Sequence, residues 1–132
     1  MSTSDWLRWG GFVGYMVLIF IVSAIPGNTL SETGLFHHDK LLHLLEYGVL
    51  GVLCGWVVIQ PGDLTAANWV EYALAIGIGW LFAVSDEIHQ YFVPGRMMEL
   101  NDFIADAAGI ILGVLLYRFI LAKYLRRIEN AV

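Results

Sequence analysis

Apolar residues run through this chain in four long stretches, over about residues 9–25, 40–59, 69–90 and 102–122. Each approaches the ~20 residues that a helix needs to cross a bilayer. Short polar breaks separate them. Pro26-Gly27 closes the first, Gln60-Pro61-Gly62-Asp63 the second and Pro94-Gly95 the third. Proline removes a backbone donor and glycine permits the turn. The pattern predicts an all-α membrane protein, a four-transmembrane-helix bundle with short loops and antiparallel neighbours. It is one domain over residues 1–132. Asn28 to His38 reads as a loop. Asp39 and the pair Asn101-Asp102 read as caps opening the second and fourth helices, and the fourth ends near Tyr124.

Composition agrees with the pattern. The chain is 58% hydrophobic and only 14% charged, with a mean hydropathy of +0.69. A soluble domain of this size would carry more charge. Val22-Ser23-Ala24 has the small-residue look of a signal-peptide cleavage site. Arg8 is offset by Asp5, however, and the apolar run is longer than a usual signal core, so the stretch reads as a span. The net charge of −5 says little about partners, because most acidic groups sit near the predicted helix ends, but nothing resembles a basic face, so no nucleic-acid partner is expected. The single cysteine, Cys54, excludes an intramolecular disulfide and a cysteine-rich metal site, and reads as a small packing residue.

Lys and Arg set the orientation. Arg8 lies at one terminus and Lys123, Arg126 and Arg127 at the other, against Lys40 and Arg96 on the opposite side. Both termini are expected in the cytoplasm. The start of the second helix, the end of the third and the start of the fourth then share the outer side. They bring Asp39, Lys40, His43 and Glu46 to one depth with Asp86, Glu87, His89 and Gln90, and with Arg96, Asp102 and Asp106. Charged groups in apolar segments are costly unless paired or functional, so this convergence is the candidate site.

At ~100° per residue, Asp39, His43, Glu46 and Tyr47 form one stripe, and Asp102 and Asp106 lie above Gly109-x-x-x-Gly113, a close-contact pattern. Gly48, Gly51 and Gly55, and Gly77 and Gly79, offer further small-residue surfaces, within the chain or toward a second copy as a homo-oligomer. On a regular helix Glu87 and His89 lie about 160° apart, so both cannot enter one narrow pocket. The third helix is therefore expected to be central, with one of Asp86 and Glu87 structural. The candidate catalytic groups are Glu87, His89, His43, Asp102 and Asp106. The candidate ligand-binding groups are Arg96, Lys40, Asp39, Gln90 and Tyr47. His43, His89, Asp102 and Asp106 are possible ligands of a divalent cation, which is not favoured, since no dense motif such as His-Glu-x-x-His occurs. Ser85 lacks a nucleophile elbow. His37 and His38 read as solvated, and Glu32, Glu46 and Glu99 as mainly structural or surface residues.

The series Asp39-Lys40-x-x-His43-x-x-x-Tyr47, then Asp86-Glu87-x-His89-Gln90-x-x-x-Pro94-x-Arg96, then Asp102-x-x-x-Asp106-x-x-Gly109 resembles the VanZ-like family of small membrane proteins. The resemblance spans Ser23 to about Gly113. It departs at Asp106, where the family often has Asn, which adds a negative charge and favours a cation or a shared proton. The resemblance implies a bacterial cytoplasmic membrane and a cell-envelope context, since the family is named for a teicoplanin-resistance protein. It implies no reaction. Three readings stay open: a pocket binding a lipid-linked precursor, a lipid headgroup or a glycopeptide; a membrane hydrolase or transferase using Glu87 or His89 as base with Arg96 against developing charge; and a structural subunit.

Overall fold

A computed structural model describes residues 3–32, 39–59 and 69–130. Among these residues there are helices and no strand: α1 (Thr3–Ser23), α2 (Gly27–Glu32), α3 (Asp39–Val58), α4 (Trp69–Tyr91) and α5 (Leu100–Glu129). His37, His38 and the turn from Gln60 to Asp63 lie outside the described residues.

Among the described residues, three helices are long and apolar enough to cross a membrane: α1, α3 and α5, the last over Leu100–Ile128, with mean hydropathies of 1.5, 1.8 and 2.0. At 23 residues α4 has the length. Its composition falls short because Glu71 opens it and Asp86, Glu87, His89 and Gln90 close it. Most of the surface of these helices is apolar. Leu7, Leu81, Leu100 and Phe119 are each at least 66% exposed, as expected where lipid rather than water is the solvent.

Three expectations about boundaries change. The segment after Pro26 is not all loop, because α2 occupies Gly27–Glu32. Asn101 and Asp102 do not cap the last helix. Glu99 is its N-cap residue and makes no side-chain cap hydrogen bond, while Asp102 sits inside the first turn. The last helix also runs beyond Tyr124 to Glu129. At 1.5 Å per residue it is about 45 Å long, longer than the hydrocarbon layer, and its last turns carry Lys123, Arg126 and Arg127.

Packing places the helix ends. The tightest contact is between α3 and α5, which run parallel: a Cβ added at Gly51 would strike the Ile110 backbone, one at Gly113 the Gly48 and Val52 backbones, and one at Gly55 the Tyr117 ring. The Gly109-x-x-x-Gly113 surface thus faces α3. Gly79 packs on Ile110, whereas Gly77 faces open space. α4 touches α1, α3 and α5. The core holds Ile19, Tyr47, Leu50, Cys54, Ala75, Ala83, Ile110 and Val114. At the far end, the Arg8 guanidinium donates to the Trp56 carbonyl in the last turn of α3, one of the carbonyls that a helix end leaves without a partner.

One short contact organises the opposite end. The Gly27 N–H donates to the Pro94 carbonyl at 3.1 Å. Gly95 has φ 76, a left-handed conformation that glycine adopts without strain. A side chain at Gly27 would collide with the Gly95 carbonyl. The start of α2 is thereby clipped to the loop carrying Arg96.

Candidate functional site

The ends of α1 and α4 and the starts of α3 and α5 meet at one level. Ser23, His43, Asp86, Glu87, Gln90, Asp102 and Asp106 are all buried there. Burial of so many polar groups requires partners, and the partners divide the residues into three layers.

The first layer centres on Asp86. Its Oδ2 accepts hydrogen bonds from the Ser23 hydroxyl at 2.7 Å, the Tyr47 hydroxyl at 3.0 Å and the Gln90 amide at 3.1 Å. Three helices, α1, α3 and α4, are joined through one oxygen. Ser23 is not among the site residues expected from the sequence. Its legible signal was its position at the end of the first span, at the depth of Asp86.

The second layer is His43, Asp106 and Glu87. His43 Nδ1 lies 2.8 Å from Asp106 Oδ1, and its Nε2 is 3.8 Å from Asp39 Oδ1, one turn back on α3. One ligand-type atom from each of His43, Glu87 and Asp106 falls within 4.8 Å of the other two. Glu87 Oε2 accepts the Glu99 backbone N–H at 3.2 Å, so it satisfies a donor at the start of α5 in place of a side-chain cap. Its other oxygen, Oε1, and Asp106 Oδ2 are buried and have no hydrogen-bond partner among the described residues.

The third layer is the mouth. The Lys40 ammonium contacts Glu99 at 2.8 Å and Asp39 at 3.4 Å, and also pairs with Asp102. Glu99 thus belongs to this mouth rather than to bare surface. Arg96 donates to the side-chain amide oxygen of Gln90, Oε1, at 2.7 Å. Among the described residues no carboxylate lies within ion-pair distance of its guanidinium. Asp39, Gln90, Gly95, Arg96, Met97, Glu99 and Asp102 line a cavity of about 60 Å³. Beside it, and sharing Glu99, runs an apolar groove of about 190 Å³ lined by Val84, Glu87, Ile88, Met98, Leu100 and Phe103.

His89 does not join these groups. Its ring stacks on Phe20 of α1, with centroids 3.9 Å apart and planes at 24°, on the side of α4 turned away from Glu87. Tyr47 stands with the Asp86 layer rather than at the mouth. Ser85 donates to the Phe82 carbonyl at 2.7 Å and is engaged with its own helix.

A histidine held at Nδ1 by a carboxylate, with its other nitrogen directed toward a polar mouth, has the arrangement of a positioned base. The adjoining acids form a set able to hold a cation. A helical membrane protein with a layered polar cluster at one end of its apolar helices is the class that these features define. The chain belongs to the VanZ/LLP1 family, whose model matches residues 12–122 and so takes in all three layers. No curated protein and no solved structure matches the chain.

Proposed function

We propose that this protein binds the anionic headgroup of a cell-envelope amphiphile at the outer face of the cytoplasmic membrane, with Arg96 as the headgroup contact. In this reading α4 is a fourth span and both termini are cytoplasmic. The exposed Leu74, Leu81, Val84 and Ile88 on α4 support the span. The run of Lys123, Arg126 and Arg127 at one end of α5 supports a cytoplasmic C-terminus.

One observation carries the headgroup assignment. Lys40 is answered by three carboxylates, whereas Arg96, among the described residues, is held only by the neutral amide of Gln90. A guanidinium offers a planar fork to phosphate or carboxylate. The apolar groove at Val84, Ile88, Leu100 and Phe103 shares Glu99 with the cavity that Arg96 lines, and suits an acyl or isoprenyl chain. A lipid-linked wall precursor or a phospholipid has both parts. Family membership connects this reading with glycopeptide resistance in general terms only.

The test is binding of an isoprenyl phosphate to the full chain in detergent micelles. Arg96→Ala is expected to weaken it by at least about tenfold, the scale of one charge-assisted contact, and Arg96→Lys by less. Equal binding by wild type and Arg96→Ala overturns the assignment.

A second reading, hydrolysis or group transfer, is favoured by the His43–Asp106 pair at 2.8 Å beside Glu87. It requires that His43→Gln and Glu87→Gln fold, bind the probe and lose activity in cells. Full activity in both variants removes it.

A further inference from the structure

The layer beneath the mouth contains an imbalance of charge. His43, Glu87 and Asp106 are 6%, 3% and 0% exposed. Two carboxylates share that space with one imidazole. Neither outer cation reaches them, because Lys40 contacts Asp39, Glu99 and Asp102 and Arg96 contacts Gln90. Burying an unbalanced carboxylate is costly, and two oxygens in this layer, Glu87 Oε1 and Asp106 Oδ2, have no hydrogen-bond partner among the described residues.

We propose that His43, Glu87 and Asp106 form a binding site for a divalent first-row metal ion. One imidazole nitrogen and two carboxylates are a mixed donor set that suits Zn²⁺ or Mn²⁺ better than the all-oxygen preference of Ca²⁺. The three donors come from α3, α4 and α5, so one ion joins the three helices at their polar ends. The candidate atoms already lie within 4.8 Å of one another, a separation that a shared ion at ~2.0–2.2 Å from each ligand closes with small side-chain movement. Binding displaces the proton that His43 Nδ1 and Asp106 Oδ1 share. It also balances the second carboxylate.

A neighbouring set, Asp39, His43 and Asp102, has similar spacing. It is the weaker candidate, because the Lys40 ammonium already neutralises both of its carboxylates. Glu87 distinguishes the two. It turns toward α5, and its Oε2 is fixed by the Glu99 N–H, which leaves Oε1 as the donor to the ion.

The site lies beneath the Arg96 pocket and does not depend on the headgroup reading. The experiment uses the full chain in detergent, stripped with chelator, given Zn²⁺ or Mn²⁺ and dialysed. Elemental analysis is expected to find about one ion per chain, with a higher unfolding temperature than the stripped protein. Glu87→Gln and Asp106→Asn, which keep shape and remove charge, are expected to weaken binding by more than about tenfold, and Arg96→Ala to leave it unchanged. Co²⁺ titration of wild type reads the donors without any variant: visible absorption bands that Zn²⁺ abolishes are expected. Absence of a retained ion together with absence of those bands overturns the site, as does undiminished binding by folded Glu87→Gln. Failure of the wild-type chain to bind isoprenyl phosphate while it retains the ion would instead remove the headgroup reading alone.

Discussion

Asp86 and Glu87 are neighbours in sequence with opposite tasks. A step of ~100° between adjacent helical residues turns Asp86 toward Ser23, Tyr47 and Gln90, and Glu87 toward His43, Asp106 and the start of α5. Asp86 is a staple. Removing one of its donors breaks one hydrogen bond to a charged group, so Tyr47→Phe is expected to cost about 2 kcal/mol. Asp86→Ala leaves three donors without an acceptor and is expected to cost more than Tyr47→Phe. His89→Ala, which loses a stacking contact on Phe20, is expected to cost only about 1 kcal/mol. Equilibrium unfolding of the purified variants in mixed micelles checks the order. A His89→Ala loss larger than that of Asp86→Ala would mean that Asp86 is not the staple. The presence of polar groups at this depth was legible in the residues themselves. Which carboxylate accepts from which donor was not, because Ser23, Tyr47 and Gln90 come from helices whose rotation depends on their packing.

At the scale of elements, the contact between α3 and α5 decides where the site's walls stand. These helices are not consecutive, yet they pack most closely, with Gly48 and Gly51 on one and Gly109 and Gly113 on the other. The close approach brings His43 and Asp106 within hydrogen-bond distance one to two turns above. A branched side chain in this seam forces the helices apart. Gly113→Leu is expected to destabilise by about 3 kcal/mol or more, or to prevent folding. Gly77→Ala faces open space and is expected to be neutral or to stabilise by up to about 1 kcal/mol, through lost backbone freedom in the unfolded chain. Thermal unfolding of both variants tests this, and a destabilising Gly77→Ala would indicate that its face is covered by another chain. The glycine spacing on the last helix announced a close contact. It did not name the partner, since a small-residue surface matches any helix with a complementary groove.

For the whole molecule, the proposed fourth span fixes topology. If α4 crosses, both termini share a side and Met97 lies on the other. Cys54 is the only cysteine and is buried, so a Cys54→Ala background permits labelling of single introduced thiols. With an impermeant maleimide on intact cells, Met97→Cys is expected to react, and Thr3→Cys and Asn130→Cys only after lysis. Labelling of Asn130→Cys but not Thr3→Cys would show that α4 does not cross. Labelling of both termini but not Met97→Cys would invert the orientation and turn the polar mouth to the cytoplasm.

Ser85 to Arg96 reads in sequence as a single charged motif. Local chemistry determined much of what surrounds it: apolar runs long enough to span, proline and glycine stops between them, and polar residues of separate segments brought to one depth by alternation of direction. These follow from chain length and solvation, which act along the chain. Division of that motif among three layers was decided only by tertiary structure. Asp86 joined helices, Glu87 turned to His43 and Asp106, His89 went to Phe20, and Arg96 was left with an amide while Lys40 took the acids. Helix rotation and helix–helix distance set those pairings. Both depend on how surfaces distant in sequence fit, above all the glycine seam between α3 and α5.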